Sequence, residues 1–138
     1  MDDEAVLGKL FDLLEDESRM LSPFGVRSLS AKDQFYMLDS QTYRGNLFVH
    51  LHYQLLRGLK TYYAEGSVSM QDKPELAKRA SNIYKLIKTR ILSTVYSQWQ
   101  KDGQLWEMYN AETGKGAGTA PFSGWTTLIV LIANDSYH

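Results

Sequence analysis

Between Pro74 and Gly103 there is no other proline or glycine, and Ala80, Ile83, Tyr84, Ile87, Ile91 and Val95 recur at helical spacing. The spacing predicts one long helix, opened by Pro74 in its first turn behind Asp72 and stopped at Gly103. Its Lys78, Arg79, Lys85, Lys88 and Arg90 read as a solvated face. A second helix is predicted from Asn46, as its cap, to about Glu65. In it Phe48, Leu51, Leu55, Leu59 and Tyr62 form one stripe, while Leu47, Leu56 and Tyr63 broaden it, so this helix is buried on more than one side.

The flanks are less regular. Val6, Leu7, Leu10, Phe11 and Leu14 alternate with acidic residues and predict an amphipathic helix within residues 1–20 that packs against another element. Between Met20 and Thr42 the periodicity disappears and Pro23, Gly25 and several serines read as a long loop; loops of that length in a compact domain are functional or disordered. Gly66 to Asp72 is a connector. The continuous apolar run Thr126 to Ile132 is not assigned by periodicity, and propensity alone favours a strand. The gross picture is all-α, a set of helical hairpins.

Composition excludes more than it selects. The 138 residues are enough for one domain, and 15 basic against 16 acidic residues give a net charge of -1, which leaves no electrostatic footprint for nucleic acid or an anionic membrane. No cysteine is present, so disulfides, thiolate nucleophiles and cysteine-based zinc sites are excluded. His50 and His52 stand two apart, which on a helix points them in different directions, and His138 is terminal; no metal or other cofactor is expected. Met1-Asp2-Asp3-Glu4 is acidic where a signal peptide is basic, and no apolar run approaches the roughly 18 residues of a membrane span, so no membrane contact is expected. Asn134-Asp135-Ser136 is a formal glycosylation triplet of a kind common by chance.

The chemistry concentrates near the end of the chain. Leu105-Trp106-Glu107-Met108-Tyr109-Asn110 sets a carboxylate among aromatic residues, Thr113-Gly114-Lys115-Gly116 makes a glycine-rich turn, and Pro121-Phe122-Ser123-Gly124-Trp125-Thr126 adds a second aromatic cluster. A base for water beside flat apolar faces is what a sugar site needs. From spacing alone Glu107 is either that base or a surface glutamate after a glycine turn, and Trp106, Tyr109 and Trp125 are either stacking faces or core. Gly114-Lys115-Gly116-Ala117-Gly118 lacks the spacing and following Lys-Ser/Thr of a phosphate loop, and its glycines read as turn geometry. Glu112 reads as structural, and Phe122 as packing beneath the turn.

These blocks resemble the C-terminal end of the processing α-glucosidase I (mannosyl-oligosaccharide glucosidase) family, glycoside hydrolase family sixty-three. That family shows Trp-Glu-Gln-Tyr, a glycine-rich turn and Pro-Phe-Thr-Gly-Trp there. Upstream, Phe24-Gly25-Val26-Arg27-Ser28-Leu29-Ser30 is similar to its Tyr-Gly-Leu-Arg-Ser-Leu-Ser, and Tyr43-Arg44-Gly45 followed by Tyr53 to its Trp-Arg-Gly and Asn-Tyr-Leu block. The four blocks keep the family's order over residues 21–138.

The resemblance implies an (α/α)6 toroid of which this chain supplies only C-terminal hairpins, because such a toroid needs about three times the length. It resolves the run at Thr126 to Ile132 as an inner helix. It implies hydrolysis with inversion of the terminal glucose of the N-linked oligosaccharide precursor in the lumen of the endoplasmic reticulum, by an enzyme the family anchors in the membrane through an N-terminal segment. Expected partners are the glucosylated oligosaccharide and the remainder of the catalytic domain. An inverting glycosidase needs a protonated acid and a carboxylate base about 6.5–9.5 Å apart. Glu107 matches the family's general base. The family's acid is an aspartate upstream of the region covered, and Asp33 and Asp39 read as turn and cap residues. The isolated chain is therefore expected to be inactive, and to expose an apolar face where half its partners are missing.

Carried over in the same way, Tyr109 and Trp125 face the sugar, Trp106 stands between that role and packing, and Arg44 either binds sugar hydroxyls or makes a surface ion pair. Tyr43 and Phe48 stand where the family has tryptophans, keeping a stacking face without the indole donor, and His50 and His52 replace two asparagines, which changes hydrogen-bonding capacity. Two other readings stay open: a truncated, non-catalytic glycan-binding or interaction module, and a piece of another toroidal α-glycosidase such as a trehalase.

Overall fold

The computed structural model describes residues 3–38 and 43–135; Asp39, Ser136 of the glycosylation triplet and the terminal His138 lie outside the described residues. The long helix is the spine. Helix α3, Pro74–Asp102, buries Ala80, Ile83, Tyr84, Ile87, Ile91 and Val95, the stripe that the sequence predicts, and Ala77 in addition. Pro74 sits in its first turn, and Gly103 closes it in the left-handed conformation (φ 71°), its N–H donating to the Trp99 carbonyl at 2.7 Å.

Two helices precede it and pack on it. In α1, Asp3–Glu15, Phe11 and Leu14 are buried, and Phe11 meets Tyr63 edge to face at 5.9 Å. In α2, Val49–Tyr63, the buried residues are Val49, His52, Leu56 and Leu59. This helix begins two residues later than an Asn46 cap predicts, and Asn46 does not cap it. Leu47 instead pairs antiparallel with Tyr109, through N–H to carbonyl bonds of 2.8 and 3.0 Å in the two directions. A residue extended for that bridge cannot also be helical, so tertiary pairing displaces the local capping preference.

The basic residues of α3 are not simply a solvated face. Arg79 lies over the Phe11 ring and reaches Asp12 at 2.6 Å and Glu15 at 2.9 Å, tying α1 to α3. Arg90 donates to the Ser22 carbonyl at 2.7 Å and to Glu17 at 2.9 Å. Lys88 bonds the carbonyls of Ala133 and Asp135. Long stems let these groups span to the ends of neighbouring elements while their methylenes cover apolar surface. Lys78 and Lys85 remain exposed.

The loop from Met20 holds a small antiparallel hairpin of β1, Leu21–Ser22, and β2, Gly25–Val26. His52 fixes it to α2. Its Nε2 accepts the Val26 N–H at 2.8 Å and its Nδ1 lies 2.7 Å from the Phe48 carbonyl, so the neutral ring carries its proton on Nδ1. A Cβ at Gly25 would come within 2.6 Å of that Nε2, so only glycine lets the hairpin approach so closely.

Burial holds the His52 pKa down to about 4, from 6.5, against the opposing pull of the Phe48 carbonyl. The unfolded chain therefore binds one more proton than the folded one between those values, and stability falls as pH drops from about 6.5 towards 4. The expected loss is about 3 kcal/mol. Urea denaturation across that range measures it, and His52→Asn should flatten the profile; equal slopes in the two proteins would assign the loss to other groups.

After α3 come β3, Met108–Tyr109, and β4, Gly116–Ala117, paired antiparallel, then a 3-10 turn at Trp125–Leu128 that runs directly into α4, Ile129–Asn134. The apolar run is thus helical, as the resemblance implies and propensity does not. Ile132 seals α4 onto α2 and α3. Its far end is held by Asp135, which pairs with Lys60 and accepts the Tyr84 hydroxyl at 3.0 Å. Leu86, Tyr96 and Trp99 on α3 and Val130 and Leu131 on α4 remain exposed. Among the described residues no helix is long and apolar enough to cross a membrane.

Candidate functional site

Glu107 stands at the mouth of the β3–β4 hairpin, where pairing of the strands continues one step beyond the ladder. Its N–H donates to the Thr119 carbonyl at 2.9 Å, and the Thr119 N–H donates back to its Oε2 at 3.0 Å. Oε1 has no hydrogen-bond partner among the described residues. One oxygen is thus tethered by backbone, while the other is left for water or a ligand. A Cβ on Gly118 (φ 74°) would lie 2.6 Å from Oε2, so the glycine turn is what admits the carboxylate.

Trp125 braces the same residue from the other side, its indole N–H donating to the Glu107 carbonyl at 2.7 Å. Its ring belongs to a cluster with Phe48, His50 and Phe122, at centroid distances of 6.2, 4.9 and 4.8 Å. Tyr43 stacks on Phe48 at 4.4 Å, and its hydroxyl lies 3.3 Å from His50 Nε2. His50 and His52 point different ways, one into this cluster and the other onto the β1–β2 hairpin. Burial lowers the His50 pKa and so favours the neutral ring. Among the described residues no group of three metal-binding side chains forms.

The remaining residues singled out by sequence are placed differently. Tyr109 is fully buried; its ring is in the core and its hydroxyl accepts the Trp106 N–H at 3.2 Å. Desolvation pushes its pKa up. Phe48 is also fully buried, under Tyr43. The faces that the resemblance assigns to a sugar at these two positions are covered here, that of Tyr109 by the core and that of Phe48 by Tyr43, His50 and Trp125. Trp106 packs on Gly116, and its indole N–H donates to Asp102 at 2.9 Å, which anchors the hairpin to the end of α3. Arg44 lies over the Phe35 ring at 5.6 Å. Asp33 accepts the Phe35 N–H at 2.8 Å, a turn residue as expected. Of the six positions, Trp125 is the half-exposed aromatic group in direct contact with Glu107.

The family model for the glycosyl hydrolase family 63 C-terminal domain matches residues 1–135. This chain belongs to glycosyl hydrolase family 63. The family 63 chain is 33% identical over 135 residues to a protein of Schizosaccharomyces pombe named a probable mannosyl-oligosaccharide glucosidase, covering 98% of this chain and 16% of that protein. It is 29% identical over 126 residues to the mannosyl-oligosaccharide glucosidase of Saccharomyces cerevisiae, covering 91% and 15%. To that of Arabidopsis thaliana it is 29% identical over 140 residues, covering 98% and 16%. The chain therefore spans about a sixth of the length of these relatives. Its all-α architecture is that of a fragment of the family 63 domain.

Sequence reasoning missed the network that holds this family 63 hairpin in place. Arg27, 6% exposed, donates from Nε to the Tyr36 hydroxyl at 3.0 Å, from Nη2 to Glu112 at 3.2 Å, and from Nη1 to the carbonyls of Glu17, Arg19 and Leu21. The Tyr36 hydroxyl also donates to Glu112, which together with Arg27 lowers the Glu112 pKa. Glu112 lies in the turn between β3 and β4, so the arginine joins the end of α1, the long loop and the Glu107 hairpin. Its signal was the arginine inside the Phe24–Ser30 block, but no spacing rule connects it to a carboxylate 85 positions away.

Proposed function

We propose that this chain is the base-bearing portion of an inverting exo-α-glucosidase that removes the terminal glucose of the N-linked oligosaccharide precursor. Glu107 deprotonates the attacking water at the anomeric carbon, and an aspartate elsewhere in the complete catalytic domain protonates the leaving oxygen. The observation that carries this reading is the Glu107 carboxylate itself, with Oε2 held by the Thr119 N–H, Oε1 unbonded among the described residues, and Trp125 beside it. Family membership and the names of the matched relatives support it. The four helices form hairpins of an (α/α)6 toroid whose other hairpins cover the exposed faces of α3 and α4, and the reaction takes place in the lumen of the endoplasmic reticulum.

Release of glucose from a triglucosylated N-glycan tests the reading. The isolated chain should be silent, because a base without its acid leaves the glycosidic oxygen unprotonated. A protein extended upstream to a complete domain should be active, with the first-formed glucose of inverted configuration by NMR. Activity in the short chain, or retention in the long one, would refute it.

A further inference from the structure

α2 starts at Val49, so His50 falls in its first turn, and this helix packs against the 3-10 turn at Trp125–Leu128. Its Nδ1 is a buried polar atom with no hydrogen-bond partner among the described residues. Buried polar groups are nearly always paired, and this one is bare because its surroundings are aromatic. Trp125, Phe48 and Tyr43 stand at centroid distances of 4.9, 5.6 and 6.1 Å, and the Tyr43 hydroxyl, 3.3 Å from Nε2, is the polar contact.

A neutral imidazole fits this place at little cost. With its proton on Nε2 it donates to the Tyr43 oxygen, and Nδ1 presents only a lone pair to the rings. An imidazolium fits badly, because Nδ1 then carries a buried N–H that nothing accepts. The first turn of α2 holds no acidic residue, and a helix N-terminus disfavours a cation. The other titrating or charged groups around the ring are few. Tyr43 bonds it, His52 turns to the β1–β2 hairpin, Glu107 lies beyond Trp125, and Arg44 lies over Phe35. On α3, Arg79 reaches α1, Arg90 reaches Ser22 and Lys88 reaches the end of α4. Residues 116–134, which supply the turn and α4, carry no charge. Burial accordingly lowers the His50 pKa.

What packs on the ring is Trp125. Its indole N–H bonds the Glu107 carbonyl at 2.7 Å, and the adjacent Thr126 hydroxyl bonds the Trp106 carbonyl at 2.6 Å. Two successive residues of the turn thus grip two successive carbonyls at the carboxylate, and His50 supports the first grip.

We propose that His50 is a positioning residue whose neutral ring wedges Trp125 onto the Glu107 backbone, and that uptake of a proton by His50 loosens this brace. The movement of Trp125 stands on packing alone, while its effect on turnover rests on the glucosidase reading, in which Glu107 is the base.

Fluorine NMR of the complete catalytic domain labelled with fluorotryptophan tests it, the Trp125 resonance being the one that Trp125→Phe removes. On acidification that resonance should move with a midpoint acid of the ordinary histidine value. It should stay still in His50→Phe, which keeps a ring without the titration, and should still move in His52→Asn and Glu107→Gln. His50→Gln serves if the phenylalanine variant fails to fold. In glucose release, about one pH unit below the midpoint, His50→Phe should retain about ten times the fraction of its neutral-pH kcat that the unmutated protein retains. Titration of Glu107 is common to both proteins and cancels in that ratio. A merely structural histidine would lower the melting temperature and leave both profiles in place. A Trp125 resonance that ignores pH, or titrates equally in His50→Phe, would overturn the proposal. So would a midpoint alkaline of the ordinary value, which would mean that the rings hold the cation. If the resonance behaves as expected while Glu107→Gln still releases glucose, the glucosidase reading fails and the brace stands. If Glu107→Gln is inactive and the acid limb of kcat is the same in His50→Phe, the positioning role fails and the base stands.

Discussion

Glu107→Gln in the complete catalytic domain lowers kcat for glucose release by about a thousandfold, within the range expected for loss of a general base, and leaves KM nearly unchanged. The amide is isosteric, and its oxygen can still accept the Thr119 N–H that now binds Oε2 at 3.0 Å, so hairpin and neighbouring surfaces persist. What disappears is the basicity of the oxygen that the hairpin leaves unbonded. A merely structural glutamate behaves in the opposite way. Its replacement would lower the melting temperature and spare turnover in the fraction that stays folded. Steady-state kinetics beside thermal melts on one preparation separate the two, and a kcat within tenfold of the unmutated protein would remove Glu107 from the chemistry.

Arg27→Met lowers stability by about 3 kcal/mol, or roughly 10 °C in melting temperature for a domain of this size. Loss of the ion pair itself is a minor part. The Glu112 side chain is 51% exposed, and water can solvate it once its partner is gone. The cost sits on the other side of the guanidinium, where Glu17, Arg19 and Leu21 present carbonyls to Nη1 and an apolar side chain offers them no donor. Arg27→Lys keeps the charge but not the fork, and should lose about half as much, since one ammonium cannot serve Tyr36, Glu112 and the carbonyls together. Melting curves of the two variants beside Glu112→Gln test this: the glutamine should be mildest, and an Arg27→Met protein that melts with the unmutated one would show that water replaces the arginine.

How much of this was legible in the sequence differs by element. The body of α3 was, because a 3.6-residue period uninterrupted by glycine or proline allows little else, and Pro74 and Gly103 mark its ends through local backbone geometry. α1 was legible for the same reason. The helix in α4 was not readable from the residues, since a short run apolar on all sides carries no period; the family resemblance supplied it. Asn46 was misread as a cap because capping is a local preference, while the bridge from Leu47 to Tyr109 joins segments 62 positions apart and overrides it.

The candidate site divides along the same line. Sequence by itself nominated Glu107 for the proposed chemistry, because the family resemblance rests on motifs, which are statements about residue type and short spacing, and Glu107 sits within one. Tertiary structure alone decided which neighbours could serve it. Tyr109 and Phe48 share the motifs' aromatic character with Trp125, yet Tyr109 is packed into the core and Phe48 is buried behind Trp125, whose indole N–H bonds the glutamate. The Arg27 clamp and the His52 tether both join residues far apart in the chain. Helical periods and turn residues are set within a few residues of backbone. Burial and hydrogen-bond pairing are set by what the rest of the fold brings alongside.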